Sequence, residues 1–148
     1  GTEKLTGDAV SVTLDDAPPD AQAAPGYPEP LANALVIHQQ DLQAVVNAMW
    51  QGGAEGIQVM DQRLISTSAV RCVGNTLLLQ GRTYSPPFVI AAIAEPSAVR
   101  AQLAASPQVA VFQQAVEAYG LTFTVRERPV VELPAYDGPL DLEHATAG

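Results

Sequence analysis

An α+β fold is predicted by two patterns of different period in the same chain. "VSVTL", Val10 to Leu14, alternates apolar with small polar residues, as a half-buried strand does. Leu42, Val45, Val46 and Met49 recur at i, i+3, i+4 and i+7, the spacing of one buried helix face. Short apolar runs then precede a second helical region, so strands and helices share one sheet-and-helix sandwich. The order resembles the β-α-β-β-α-β succession of a ferredoxin-like plait, with helices packed on one face and an extra N-terminal strand.

After "VSVTL" the chain enters an acidic, Pro-rich loop, residues 15–33, whose five prolines between Asp15 and Pro30 preclude a regular helix or a central strand. "ALVIH", Ala34 to His38, predicts a second, more buried strand. Asp41 is expected to cap the helix that follows, and Gly52-Gly53 to end it. "GIQVM" predicts a strand and "RLIS" continues the extended run. Ala69 to Val73 and Thr76 to Leu79 are joined by Gly74-Asn75, a pair suited to a type II′ hairpin. "PPFVIAAIA", Pro86 to Ala94, predicts a strand, and "EPSAVRAQLAAS" a short helix with Pro96 in its first turn. Ser106-Pro107 forms an N-cap and first-turn pair for another helix, with Val109, Phe112, Val116 and Tyr119 as its buried stripe. "LTFTV" alternates as the last strand, which "PVVELP" extends, and residues 134–148 form a C-terminal tail.

The bulk properties bound the function. At 148 residues the chain makes one domain, 1–148, able to bury a core without disulfide or metal. A net charge of −9 argues against nucleic acid and against direct docking on an anionic membrane surface. A single cysteine excludes an internal disulfide and a cysteine-rich zinc site. No run of 18 or more apolar residues is present in the sequence. The first residues are Gly1-Thr2 rather than methionine, as expected where a native anchor or signal segment precedes this domain.

The chemistry-bearing residues are few. Cys72 follows Arg71, but neighbours in a strand point to opposite faces, and Cys72 shares its face with Val70. A buried structural cysteine is therefore the preferred reading over a nucleophile. His38 and Asp41 have the spacing of a base and its orienting carboxylate, yet a residue at a helix start explains His38 as well. His144 lies in the tail. Asp15, Asp16 and Asp20, and again Asp137, Asp141 and Glu143, read as solvated loop charge without the pattern of a calcium loop. No zinc-ligand spacing, nucleophile elbow or Gly-rich phosphate loop occurs, and no cofactor is expected. Gln62 to Ala94 contains no acidic residue but holds Arg63, Arg71 and Arg82. This local positive region is the candidate site for an acidic partner or anionic ligand, the alternative being pairing with the chain's own carboxylates.

The stretch "DLQAVVNAMWQGGAEGIQVMDQRLISTSAVRCVGNTLLLQGRTYSPPFVIAAI", Asp41 to Ile93, is similar to the core of the bacterial "domain of unknown function 881" proteins. "LTGDAVSVTLDDAP" resembles the segment that opens those domains. The resembling marks are the helix ending in Gly-Ala-Glu, the "QRL…T…RCVGNT" block and the aromatic or Pro-rich entry to the next strand, and the resemblance covers roughly Leu5 to Leu121. The resemblance implies an N-terminal membrane helix, a short coiled coil and a domain on the extracytoplasmic side of the cell membrane. It also implies genes placed near cell-division or envelope genes in Gram-positive bacteria, and it assigns no catalytic residues. The resulting expectation is a non-enzymatic domain of a membrane-anchored protein, with envelope or division proteins as partners and a homodimer as a further association. The alternative is a small-molecule, anionic-ligand binding or regulatory domain.

Overall fold

The structure is a computed structural model and describes residues 3–65, 70–74 and 76–136. The chain forms β1 (Leu5–Asp15), a 3₁₀ turn (Ala32–Leu35), α1 (Gln39–Gln51), β2 (Gly56–Val59) and β3 (Gln62–Leu64). It continues through β4 (Arg71–Val73), β5 (Thr76–Leu79), β6 (Arg82–Tyr84) and β7 (Phe88–Ile93). The remaining elements are α2 (Pro96–Ala105), α3 (Pro107–Tyr119) and β8 (Thr122–Leu133). The fold class is α+β, with one five-stranded antiparallel sheet in the order β3-β2-β7-β1-β8 and a three-stranded antiparallel sheet in the order β4-β5-β6.

β1 is an interior strand with both edges paired: Val12 stands opposite Ile90 on one side and Val125 on the other. Its alternation decides which face meets the helices. Val10, Val12 and Leu14 are fully buried and join Leu42, Val45, Met49, Val99, Leu103, Val109 and Phe112 in the main core. α1 and α2 pack closely, since a Cβ placed on Gly52 would lie 3.0 Å from the main chain of Val99. α2 starts on Glu95, whose carboxylate accepts from the Ala98 amide at 2.9 Å. α3 starts on Ser106, whose hydroxyl accepts from Val109 at 3.2 Å. Of the expected α3 stripe, Val109 and Phe112 are buried while Val116 and Tyr119 are half-buried.

The expected strand at Ala34 to His38 is not formed, so β1 has no separate strand following it before α1 and is not an extra addition to the sheet. Ala32–Leu35 turns as a 3₁₀ helix, and the extended residues after it find side-chain and loop partners instead of a ladder. The Ile37 amide donates to Asp16 Oδ1 at 2.9 Å, and the Ala17 amide donates to the Leu35 carbonyl at 2.8 Å. With Ile37 1% exposed, the apolar run does reach the core, but by insertion from a loop. The acidic, Pro-rich loop is pinned in the same way: Ala24 donates to the Ala118 carbonyl at 2.8 Å and the Tyr119 hydroxyl to that of Pro28 at 3.0 Å.

β8 is one continuous strand through Pro129, a residue that cannot donate to a ladder. A bulge accommodates it, where Asp8 faces both Pro129 and Val130 and its carboxylate accepts from the Val130 amide at 3.2 Å. Past the bulge, Leu5 to Gly7 pairs with Val131 to Leu133, and Leu133, Ala9 and Ile93 form a second small apolar cluster on the face away from the main core. The hairpin residue Asn75, and Ala69 of the expected strand, lie outside the described residues, as do Asp137, Asp141, Glu143 and His144. β4 and β5 nonetheless pair Val73 with Thr76, the register of a two-residue loop.

Two predictions follow from this packing. A Cβ on Gly56 would stand 2.5 Å from Leu5 Cδ1 and 2.8 Å from Arg63 Nη2, so Gly56→Ala should destabilise the domain by about 1–3 kcal/mol. An unchanged urea midpoint would refute that contact. Burial raises the Asp16 carboxyl above its ordinary value, outweighing the opposing bond from Ile37. The native state therefore binds that proton more tightly than the unfolded chain, and the contribution fades as pH rises through the folded value. Asp16→Asn keeps an oxygen acceptor for Ile37, so its stability relative to the parent should improve between about pH 3 and about pH 6, read by urea unfolding at both.

Candidate functional site

The three arginines of the acid-free stretch are dispersed by the fold. Arg63 lies on β3 and is only 1% exposed. Its Nη1 donates to the Glu3 carbonyl at 2.6 Å and to the Pro134 carbonyl at 3.0 Å, so it ties the two ends of the described chain to the sheet. Burial lowers its pKa, as expected for a cation taken from water. Arg71 is exposed on β4, on the side of that small sheet opposite Leu77 and Leu79. Arg82 on β6 is exposed and lies 3.6 Å from Asp61, an ion pair that solvent screens heavily. The same Asp61 accepts from the Tyr84 hydroxyl at 2.5 Å, and Gln62 donates to that hydroxyl at 3.0 Å. These bonds join the β2–β3 hairpin to the β5–β6 hairpin, so Arg82 and its neighbours hold the small sheet in place.

His38 and Asp41 are brought together by main-chain rather than ring chemistry. His38 is the N-cap of α1, and Asp41, expected at the cap, sits in the first turn and reaches back to accept from the His38 amide at 2.8 Å. The His38 ring donates through Nε2 to the Asn33 carbonyl at 2.7 Å. The buried Asp41 carboxylate also accepts from Gln108 Nε2 at 2.9 Å, so both of its oxygens are engaged in joining α1 to α3. Cys72 is half-buried, and its amide donates to Gln39 Oε1 at 2.9 Å. Burial pushes its thiol up, and the Asp41 charge adds to the shift. Among the described residues no group of three or more His, Cys, Asp or Glu could hold a metal ion.

A different surface has the shape of a binding site. A groove of about 840 Å³ runs between α1 and the corner where α2 meets α3. α1 contributes the amides Gln39, Gln40, Gln43, Asn47 and Gln51, and the facing wall contributes Gln102 and Gln108. Gln39, Gln43, Asn47 and Gln51 are spaced four apart, which sets them along one inclined ridge that winds about 40° around the helix per step. Gln43 Nε2 donates to Asn47 Oδ1 at 2.9 Å within that row. No side chain lining the groove carries a formal charge, although the chain as a whole carries −9. Carboxamides offer both donors and acceptors at fixed geometry but cannot act as general acids or bases at neutral pH. The row was legible in "QQDLQAVVNAMWQ" as amides at every fourth position; attention to charged and nucleophilic residues passes over it.

The Cys72 environment has a direct consequence. The folded protein should react with an aromatic disulfide reagent at neutral pH more slowly than the urea-unfolded chain, because the thiolate is disfavoured and half-covered. Equal or faster reaction in the folded state would contradict the structural role of this cysteine.

With that geometry established, comparison with known proteins places the chain. It is 22% identical to an uncharacterized conserved protein from Mycobacterium tuberculosis of known crystal structure, with a TM-score of 0.68 over 95% of this chain and 88% of that one, a likeness of fold. It is 30% identical over 98 residues to the UPF0749 protein YlxW of Bacillus subtilis (strain 168), covering 65% of this chain and 39% of that protein. It is 29% identical over 100 residues to the UPF0749 protein Rv1823 of Mycobacterium tuberculosis (strain ATCC 25618 / H37Rv), covering 68% of this chain and 33% of that protein. The chain thus spans well under half the length of these curated relatives. The family model described as "Bacterial protein of unknown function (DUF881)" matches residues 1–146, and the chain belongs to that family.

Proposed function

We propose that this chain is a non-enzymatic recognition domain, carried on the extracytoplasmic side of the membrane by a membrane-anchored protein and acting through protein contacts in a cell-envelope or division assembly. The observation that carries the reading is the composition of the main groove: abundant hydrogen-bonding amides and no titratable side chain. Such a surface can hold a partner in register but has no general acid or base, and its one hydroxyl, Ser106, is engaged as the N-cap of α3. The other chemically capable groups support the same reading. The Asp41 carboxylate is engaged between two helices, the His38 ring is bonded to a carbonyl, and burial, with the Asp41 charge, pushes the Cys72 thiol pKa up.

The anchor is part of the proposal. No helix among the described residues is long and apolar enough to cross a membrane, so an anchor would lie elsewhere in the natural protein. The greater length of YlxW and Rv1823 leaves room for one in those relatives. The reading also takes the main sheet as plait-type, supported by the order β2-β7-β1-β8 of the strands that flank the helices, with β3 to β6 inserted between β2 and β7.

The test is topology. A compartment-sensitive reporter fused after Gly148 in the natural full-length protein should be active only outside the cytoplasmic membrane. Activity confined to the cytoplasm would overturn the proposal.

A further inference from the structure

The groove's amides form a ladder with a definite pitch, and the pitch selects a ligand. Gln39, Gln43, Asn47 and Gln51 are each separated by four helical residues, a rise of about 6 Å per rung. An extended polypeptide advances about 3.3–3.4 Å per residue, and each edge of it presents an N–H and C=O pair at every second residue, about 6.7 Å apart. One carboxamide can accept from that N–H and donate to that C=O at the same time, while Gln39, whose oxygen already accepts from the Cys72 amide, contributes its N–H donors. Over the three intervals of the ladder the axial mismatch reaches only about 2 Å, within the reach of flexible glutamine side chains, and because the rungs wind about 40° around α1 per step the bound segment follows the inclined ridge rather than the helix axis.

The surroundings agree. The lining carries no formal charge, so a neutral segment meets no unpaired ion, while the net charge of −9 disfavours an acidic one. Across the groove Gln108 is held by its bond to the buried Asp41 carboxylate, which leaves its carbonyl oxygen as a positioned acceptor. The middle rungs Gln43 and Asn47 bond each other in the free chain, so part of the ladder is ordered before a ligand arrives. A polyproline-type helix repeats every three residues, about 9.3 Å, and would fall out of step with the rungs.

The geometry points to this groove as a binding site for an uncharged, extended polypeptide segment of a partner protein, gripped through its main chain by the α1 carboxamide ladder. Specificity for side chains is correspondingly low, and affinity depends on the continuity of the rungs. The inference rests on the reading of this chain as a recognition domain and names the chemistry of its ligand.

The experiment is a titration of the isotope-labelled domain, following the side-chain carboxamide NMR signals. Three probes are used: a capped eight-residue peptide of Ser, Thr and Val, the same peptide N-methylated at its four central nitrogens, and chitotetraose as a neutral glycan. The unmodified peptide should move the signals of Gln39, Gln43, Asn47 and Gln51 saturably. N-methylation, or the double substitution Gln43→Ala and Asn47→Ala, should weaken binding about tenfold or more. Asn47 is exposed and Gln43 half-buried, neither belongs to the core, and both substitutions put in a strong helix former, so the fold is retained. The proposal is overturned if the peptide leaves these signals unmoved at millimolar concentration or if the N-methylated form binds equally well. It is likewise overturned if chitotetraose moves the same set, which would assign the groove to a glycan. A failed titration with the reporter still active outside the membrane removes the peptide and leaves the recognition reading standing. A reporter active only in the cytoplasm removes that reading while the titration is judged separately.

Discussion

A buried guanidinium organises one end of this domain. Taking a cation out of water is costly unless its donors are met, and Arg63 meets carbonyls from Glu3 and Pro134, residues at opposite ends of the described chain. The requirement spreads outward. Gly56 must lack a side chain for the guanidinium and Leu5 to fit. Leu5 pairs with Leu133 on the far side of the β8 bulge, and Leu133 closes the small cluster with Ala9 and Ile93. The sheet face turned away from the helices is thereby drawn together at one end by a charged group.

The helix layer obeys a different constraint. α1 has to bury Leu42, Val45, Val46 and Met49 against the sheet while its outer face remains in water. Most proteins place charges on such a face; here the outer row is carboxamide. Asp41 is the exception near its start, and it is buried and fully engaged, holding the His38 amide and Gln108 together. One carboxylate therefore fixes the start of α1, the position of α3 and one wall of the groove between them.

Two inserted segments are held by side chains rather than by ladders. The Pro-rich loop cannot form a strand, so it relies on Asp16, on scattered main-chain bonds and on Tyr119. The small β4–β6 sheet is too short to stand alone and buries Leu77 and Leu79 in the shared core. Asp61, Gln62, Tyr84 and Arg82 then fasten its far hairpin to β2 and β3.

Much of this was legible in the sequence, because periodicity and caps act over a few residues. The alternation of Val10 to Leu14, the apolar face of α1, the Ser106-Pro107 start of α3 and the core-facing side of Cys72 each depend on local spacing that the chain carries with it. The α+β class follows from those elements. What lay beyond reach depended on partners distant along the chain. Ala34 to His38 has the composition of a strand, but it joins neither sheet, and the Asp16 carboxylate takes the Ile37 amide instead. Arg63, Arg71 and Arg82 are close in sequence, yet the three lie on three different strands and only one is buried. Local pattern determined which residues face inward; tertiary structure alone decided which of the polar ones became fasteners and which were left as a ladder along an open groove.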